Sequence, residues 1–158
     1  MMFTIRRYNL DDIPQMINHV SNFLTENRGK DYQNHFASID FAPDKLYEVL
    51  KSNVNNIEFF TNLIIADGEV VGGLCAIVAA PIYSNQKIAY DQLLYVTPRY
   101  NVVRAVRELI KSYVEWAERR GVHHCRLASS TGFNTKAFGM LCKRSGFIEN
   151  ETGYMRKF

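Results

Sequence analysis

The chain has 158 residues, 47% of them hydrophobic, which suits one domain with a substantial core and excludes a disordered polymer. Nineteen Lys and Arg against sixteen Asp and Glu leave a formal charge of +3, too mild a balance for a nucleic-acid binder working through a basic face. No apolar run approaches the ~18 residues that cross a bilayer and no secretory leader precedes the first strand, so a soluble cytoplasmic protein with no membrane partner is expected. The three cysteines, Cys75, Cys125 and Cys142, are odd in number and lie in apolar surroundings, as free thiols of a reducing compartment would.

Phe3 to Tyr8 reads as a first strand, and Asn9 to Asp12 offers N-cap chemistry for a helix. Ile13, Met16, Ile17, Val20 and Phe23 or Leu24 give that helix its apolar stripe as far as about Asn27, with Pro14 tolerated in the first turn. Gly29 to Pro43 is irregular and carries Tyr32, His35, Phe36 and Phe41. These aromatics either plug the core or wall a ligand site held over a rigid scaffold. Asp44 to Asn53 reads as a short helix carrying Leu46, Val49 and Leu50. Ile57 to Ala66 and Glu69 to Pro81 read as strands joined by Asp67-Gly68, a strong two-residue hairpin signal. Gly72-Gly73 inside the second strand points to a bulge or a close backbone approach.

Lys87 to Thr97 is the next strand, ended by Pro98, which has no N–H to give a ladder. From about Asn101 the period changes to that of a helix, with Val102, Val106, Leu109, Ile110, Tyr113 and Ala117 on one face and Gly121 as the stop. A helix that starts just after a buried strand directs its free N–H groups and the positive end of its dipole at one place, a ready anion site. Val122 to Ser129 reads as a strand, Asn134 to Arg144 as a helix with Ala137, Phe138, Leu141 and Cys142 inward, and Phe147 to Phe158 as a last hairpin. Strands before and after the long helix should lie parallel through a right-handed crossover, in a mixed, largely antiparallel sheet with helices on both faces.

Strict alternation puts Tyr90, Gln92, Leu94 and Val96 on one face of their strand and Asp91 on the other, unless a bulge exchanges them. Asp91 is the one carboxylate of that strand, either a base acting through a water or a salt-bridged or solvated side chain. His123 and His124 are adjacent on a strand and diverge. No Cys, His or Asp cluster has metal-ligand spacing, and no phosphate-binding P-loop, nucleophile elbow or dinucleotide glycine fingerprint is present.

Val96-Thr97-Pro98, the helix beyond it, Asn134 and Gly146-Phe147 resemble the GNAT superfamily of acyl-CoA-dependent N-acyltransferases, and the element order resembles it over nearly the whole chain. The resemblance implies a single α/β (α+β) domain, residues 1–158, whose sheet splays at its centre near Val96 to admit the pantetheine arm of acetyl-CoA against Leu94, Tyr95 and Val96. The family's pyrophosphate pattern, (Gln/Arg)-x-x-Gly-x-(Gly/Ala), falls on Asn101-Val102-Val103-Arg104-Ala105-Val106. Here Asn replaces Gln or Arg, Arg104 stands for the central Gly and Val106 for the small residue. The glycines that bring backbone close to phosphate are missing, and the charge of Arg104 and Arg107 stands in their place. This degenerate loop, with Trp116-Ala117 and Tyr154-Met155-Arg156-Lys157, is most similar to small phage-type members of the superfamily.

The same resemblance implies transfer of an acetyl group to a primary amine of a small molecule or protein, by direct attack and without a metal. Asn134 would bond the pantetheine amide, Asp91 would be the base, and Cys142 would stand where many members carry an acidic Tyr. Tyr32, His35, Phe36, Tyr90 and Gln92 would line the acceptor site. Homodimers are common in the family. The alternative is a GNAT-fold binding or structural module without catalysis. Deprotonating a lysine-like amine (pKa ~10.4) costs roughly 4.6 kcal/mol at pH 7, against about 1–1.4 for an α-amine, so the scarcity of bases also points to low-pKa acceptors.

Overall fold

The computed structural model describes residues 2–27, 41–97, 103–128 and 135–149. Strand β1 (Phe3–Arg7) leads into a 3-10 turn, Leu10–Asp12, and helix α1 (Ile13–Asn27). Helix α2 (Pro43–Asn53) and strands β2 (Phe59–Ala66), β3 (Glu69–Ala79) and β4 (Ile88–Val96) follow, then α3 (Val103–Arg119), β5 (His124–Arg126) and α4 (Thr135–Arg144). The five described strands lie in chain order across one sheet, β1-β2-β3-β4-β5. All neighbours are antiparallel except β4 and β5, which are parallel across the α3 crossover as expected.

Local chemistry explains the junctions. Asn9 caps the turn before α1 by accepting from the N–H groups of Asp11 and Asp12, while Asp12 accepts from the Asn9 N–H, a reciprocal capping box. Asp67 and Gly68 both have positive φ, +52° and +82°, the two-residue turn that the Asp-Gly pair suggests. Helix α3 ends on Gly121 at φ +63°, where Gly121 N–H donates to Glu118 O and Val122 N–H to Ala117 O. Gly146 does the same for α4, with Phe147 N–H reaching Cys142 O. Arg7 closes the end of α2 by donating to the carbonyls of Val54 and Asn56.

The sheet separates two cores. On one face Tyr8, Ile13, Met16, Leu50, Phe59, Leu63 and Val70 pack under α1 and α2, joined by Phe23, Leu24 and Tyr95. On the other, Phe60, Ile64, Leu74, Ala76 and Ala89 meet Ala105, Leu109, Tyr113, Trp116 and Ala117 of α3. Helices therefore cover both faces.

Several details were not in the sequence reading. Ile57 is exposed and β2 starts two residues later, at Phe59. Val49 is exposed because Leu46 and Leu50 alone face the core from α2. Ala137 of α4 is exposed, leaving Phe138, Leu141 and Cys142 half-buried. Among the described residues strand β5 covers His124–Arg126, leaving 122–123 and 127–128 outside it, for the reason given next. The expected final hairpin lies mostly outside the described residues.

Candidate active site

Strand β4 changes partners at Asp91. On the β3 side, Ala76 pairs with Asp91 and Cys75 with Leu93, so Gln92 is an extra, bulged residue. On the β5 side the ladder runs Ile88↔His124, Ala89↔Cys125 and Tyr90↔Arg126, then stops. The extra residue bends β4 away from β5, which is why β5 is short. The bulge also exchanges the faces. Asp91 now lies on the α3 side with Leu94 and Val96, which pack against the α3 core. Tyr90, paired with Ile77, lies with Leu93 and Tyr95 on the α1–α2 side. Strict alternation had grouped Tyr90 and Gln92 with Leu94 and Val96. The structure corrects that grouping.

Past the split, β4 presents an open backbone edge. Thr97 N–H donates to Val71 O across to β3 at 2.8 Å. The Tyr95 carbonyl also faces β3, since a Cβ placed on Gly72 would come within 2.7 Å of that oxygen. Backbone groups alternate sides along a strand, so the N–H and C=O of Leu94 and Val96 face the opening, where no described strand pairs with them. Gly72 thus marks the close approach that its position in β3 suggests.

Beyond β4 stands the N-terminus of α3. Val103 is 61% exposed, Arg104 and Arg107 are exposed, and Ala105 is fully buried against the sheet. Val106 is half-buried in the α3 core. The small Ala105 lets the helix start sit close to the sheet, while the arginines remain directed outward. The first turn holds no acidic residue that would oppose an anion. Asn101, Val102 and Asn134 lie outside the described residues, as do Tyr32, His35 and Phe36.

Several titratable groups crowd the apex of the split. Burial pushes the Asp91 carboxyl above its ordinary pKa, against the opposing hydrogen bond from the Ala128 N–H and the charge of Arg126. Burial also raises the Cys142 thiol, and the nearby Asp91 charge raises it further. Cys125 is raised by burial. The Tyr113 hydroxyl is raised strongly, by burial first and then by the charges on Cys125 and Asp91. It donates to Arg126 O at 3.0 Å. The Arg126 guanidinium lies 5.2 Å from the centre of the Tyr90 ring, and the exposed Gln92 side chain reaches Asp91 O at 3.3 Å. The sequence marked Tyr113 only as part of a core stripe and gave no sign of its bond to Arg126. Among the described residues no cluster of three or more His, Cys, Asp or Glu is arranged to hold a metal ion.

On the α1–α2 face an apolar cavity of about 50 Å³ adjoins Leu93 and Tyr95, with Met16, Leu50, Leu63 and Cys75 also on its wall. His19 borders it, bonding Val70 O through Nε2 and lying 3.5 Å from Thr97 Oγ1 through Nδ1. Nothing in the sequence singled out His19. Burial holds Cys75 at about 11, with Thr61 Oγ1 against its sulfur at 2.8 Å.

Past a bulge, strand β4 thus leaves its β5 partner and bares one backbone edge, with helix α3 following it in the chain. The profile of the acetyltransferase (GNAT) family matches residues 22–147, and the chain belongs to that family. No curated protein sequence matches it significantly. Among solved structures, a predicted acetyltransferase with acetyl-CoA from Clostridium acetobutylicum superposes with TM-score 0.70 at 17% identity, covering 99% of this chain and 96% of that one. AAC(6')-Iy, in complex with the bisubstrate analogue CoA-S-monomethyl-acetylneamine, gives 0.71 at 14% identity over 100% and 99% of the two chains. Glucosamine-6-phosphate N-acetyltransferase from Arabidopsis thaliana gives 0.69 at 14%, again over 100% and 99%. Identities this low establish the shared fold.

Proposed function

We propose that the protein transfers an acetyl group from acetyl-CoA to a primary amine by direct attack on the thioester. The observation that carries this is the opened edge of β4, with Leu94 and Val96 backbone groups turned into the split just ahead of the α3 N-terminus. Pantetheine amides would continue the interrupted ladder along that edge, and Arg104 and Arg107, with the helix end, would meet the pyrophosphate. The missing glycines shift that contact from backbone cradle to side-chain charge. The structural relatives lend support, since one was solved with acetyl-CoA and another with the bisubstrate analogue CoA-S-monomethyl-acetylneamine.

In the reaction the amine nitrogen forms a C–N bond with the acetyl carbon, the C–S bond breaks and CoA leaves as its thiolate. N–H groups of the open strand edge would hold the carbonyl oxygen as charge gathers on it. A thiolate whose conjugate acid has pKa about 8.5 leaves without a protein acid. Cys142, with its raised thiol pKa, is then dispensable. The amine must shed a proton, and Asp91, the carboxylate of β4, is already bonded to Ala128. That engagement favours acceptors of low pKa, such as α-amines, which lose the proton to water.

The test is calorimetry with acetyl-CoA, followed by CoA release over a panel of α-amines, ε-amines and amino sugars. Binding with release, faster on α-amines near pH 7, is the expected result. Binding without release on any amine would instead identify a non-catalytic module, and the absence of binding would overturn the assignment altogether.

A further inference from the structure

The width of the cleft depends on how far β5 stands from β4, and among the described residues three residue pairs join the two strands, with His123 N–H donating to Lys87 O just before them. Among the described residues, no backbone pairing of β4 with β5 continues beyond Arg126. Side chains take over where the ladder stops. The Ala128 N–H donates to both Asp91 oxygens, at 3.2 and 3.1 Å, one residue past the last pair on β4. Two residues before Ala128, the Arg126 carbonyl accepts from the Tyr113 hydroxyl at 3.0 Å. Tyr113 is fully buried in α3, with its ring 5.6 Å from Phe60 and 6.0 Å from Trp116, so its hydroxyl sits on a rigid base. The end of β5 is thus held from β4 by one side chain and from α3 by another.

We infer that Asp91 and Tyr113 are positioning residues that fix the width of the acyl-CoA cleft, Asp91 acting as a clip on Ala128 rather than as the amine's base. The inference rests on the acetyltransferase reading of the cleft. The clip itself is a property of the unliganded protein and is measured without turnover. A clip needs an acceptor oxygen, which Asn supplies as well as Asp. A base needs an ionisable carboxylate, which Asn lacks. The pair Asp91→Asn and Asp91→Ala therefore separates the two roles. Tyr113→Phe keeps the buried ring and removes only the donor.

Three readouts decide the matter: exchange of the Ala128 amide by NMR, acetyl-CoA affinity by calorimetry, and the pH profile of kcat. Asp91→Asn should keep Ala128 protected and leave affinity and the pH profile within about twofold of wild type. Asp91→Ala should speed Ala128 exchange about tenfold or more and weaken acetyl-CoA about fivefold, with kcat at saturation changed far less. Tyr113→Phe should weaken acetyl-CoA in the same direction. The clip is overturned if Asp91→Ala leaves Ala128 exchange and affinity unchanged. It is equally overturned if Asp91→Asn lowers kcat about a hundredfold at unchanged affinity and removes the acid limb of the profile, the signature of a base. If wild-type protein binds no acetyl-CoA, the acetyltransferase reading fails, and the exchange comparison alone still decides whether Asp91 holds Ala128.

Discussion

Asp12 and Asp91 are both shielded carboxylates, yet their surroundings push them in opposite directions. Asp12 receives two Arg6 N–H bonds, at 2.7 and 2.8 Å, and the Asn9 N–H, so its pKa is held below the ordinary range, the Arg6 bonds first among the causes. The folded state thus binds the Asp12 proton less tightly than the unfolded chain. Its stabilisation is complete above the unfolded pKa of about 3.9 and is lost as pH falls through the folded value. Asp12→Ala should cost about 1–2 kcal/mol at pH 7, measured by urea unfolding, and should flatten the acid side of the stability curve. For Asp91 the sign reverses, because burial raises its pKa. Its ionisation in the fold costs stability, and the cost is absent below the unfolded pKa and grows as pH rises through the folded one. Asp91→Asn should accordingly be more stable than wild type at pH 7, with the difference shrinking towards acid. A constant difference across that range would show that the carboxylate is not under strain from burial.

The elements that depend on local chemistry were legible in the sequence, and those that depend on a partner were not. Asn9, the Asp67-Gly68 pair and Gly121 carry their own instructions in cap and turn geometry, and each falls where expected. The length of β5 was not legible, since it is set by where β4 bends away, and a bulge is a property of the pairing rather than of one strand's residues. The exposure of Val49 was not legible for a related reason, as helical spacing names a stripe but not its width. The two kinds of glycine separate these levels. Gly121→Ala meets no atom within 4 Å and carries only the strain of φ +63°, so it should cost about 1 kcal/mol and leave ligand affinity alone. Gly72→Ala drives a methyl to 2.7 Å from Tyr95 O and 2.9 Å from Val96 Cγ2. Strand β4 must shift to receive it, so this variant should lose both stability and acetyl-CoA affinity. Thermal unfolding alongside calorimetry would show the contrast, and equal losses of affinity in the two variants would contradict it.

At the scale of the molecule, the family and the mixed sheet could be read from element order, whereas the side-chain arrangement around Asp91 could not. Asp91, Tyr113 and Arg126 lie far apart in sequence and meet only because the α3 crossover brings β5 beside β4. Among the described residues, β5 joins the antiparallel β1–β4 sheet through a three-pair ladder, the packing of Cys125 and Leu127 against the α3 core, and the bonds to Tyr113 and Asp91. A ligand bound along the β4 edge as proposed would take up backbone groups that no described strand pairs with, and its footprint should carry the period of the strand it joins. Leu94 and Val96 turn their N–H groups to the cleft, whereas Tyr95 and Thr97 turn theirs to β3. Saturating acetyl-CoA should therefore slow amide exchange at Leu94 and Val96 by about tenfold or more while leaving Tyr95 and Thr97 nearly unchanged. Residue-resolved exchange by NMR reads this directly. Uniform slowing across all four amides would indicate general stiffening rather than ligand bound as an added strand. Protection confined to the start of α3 would mean that the ligand is held by its phosphates alone, leaving the β4 edge unused.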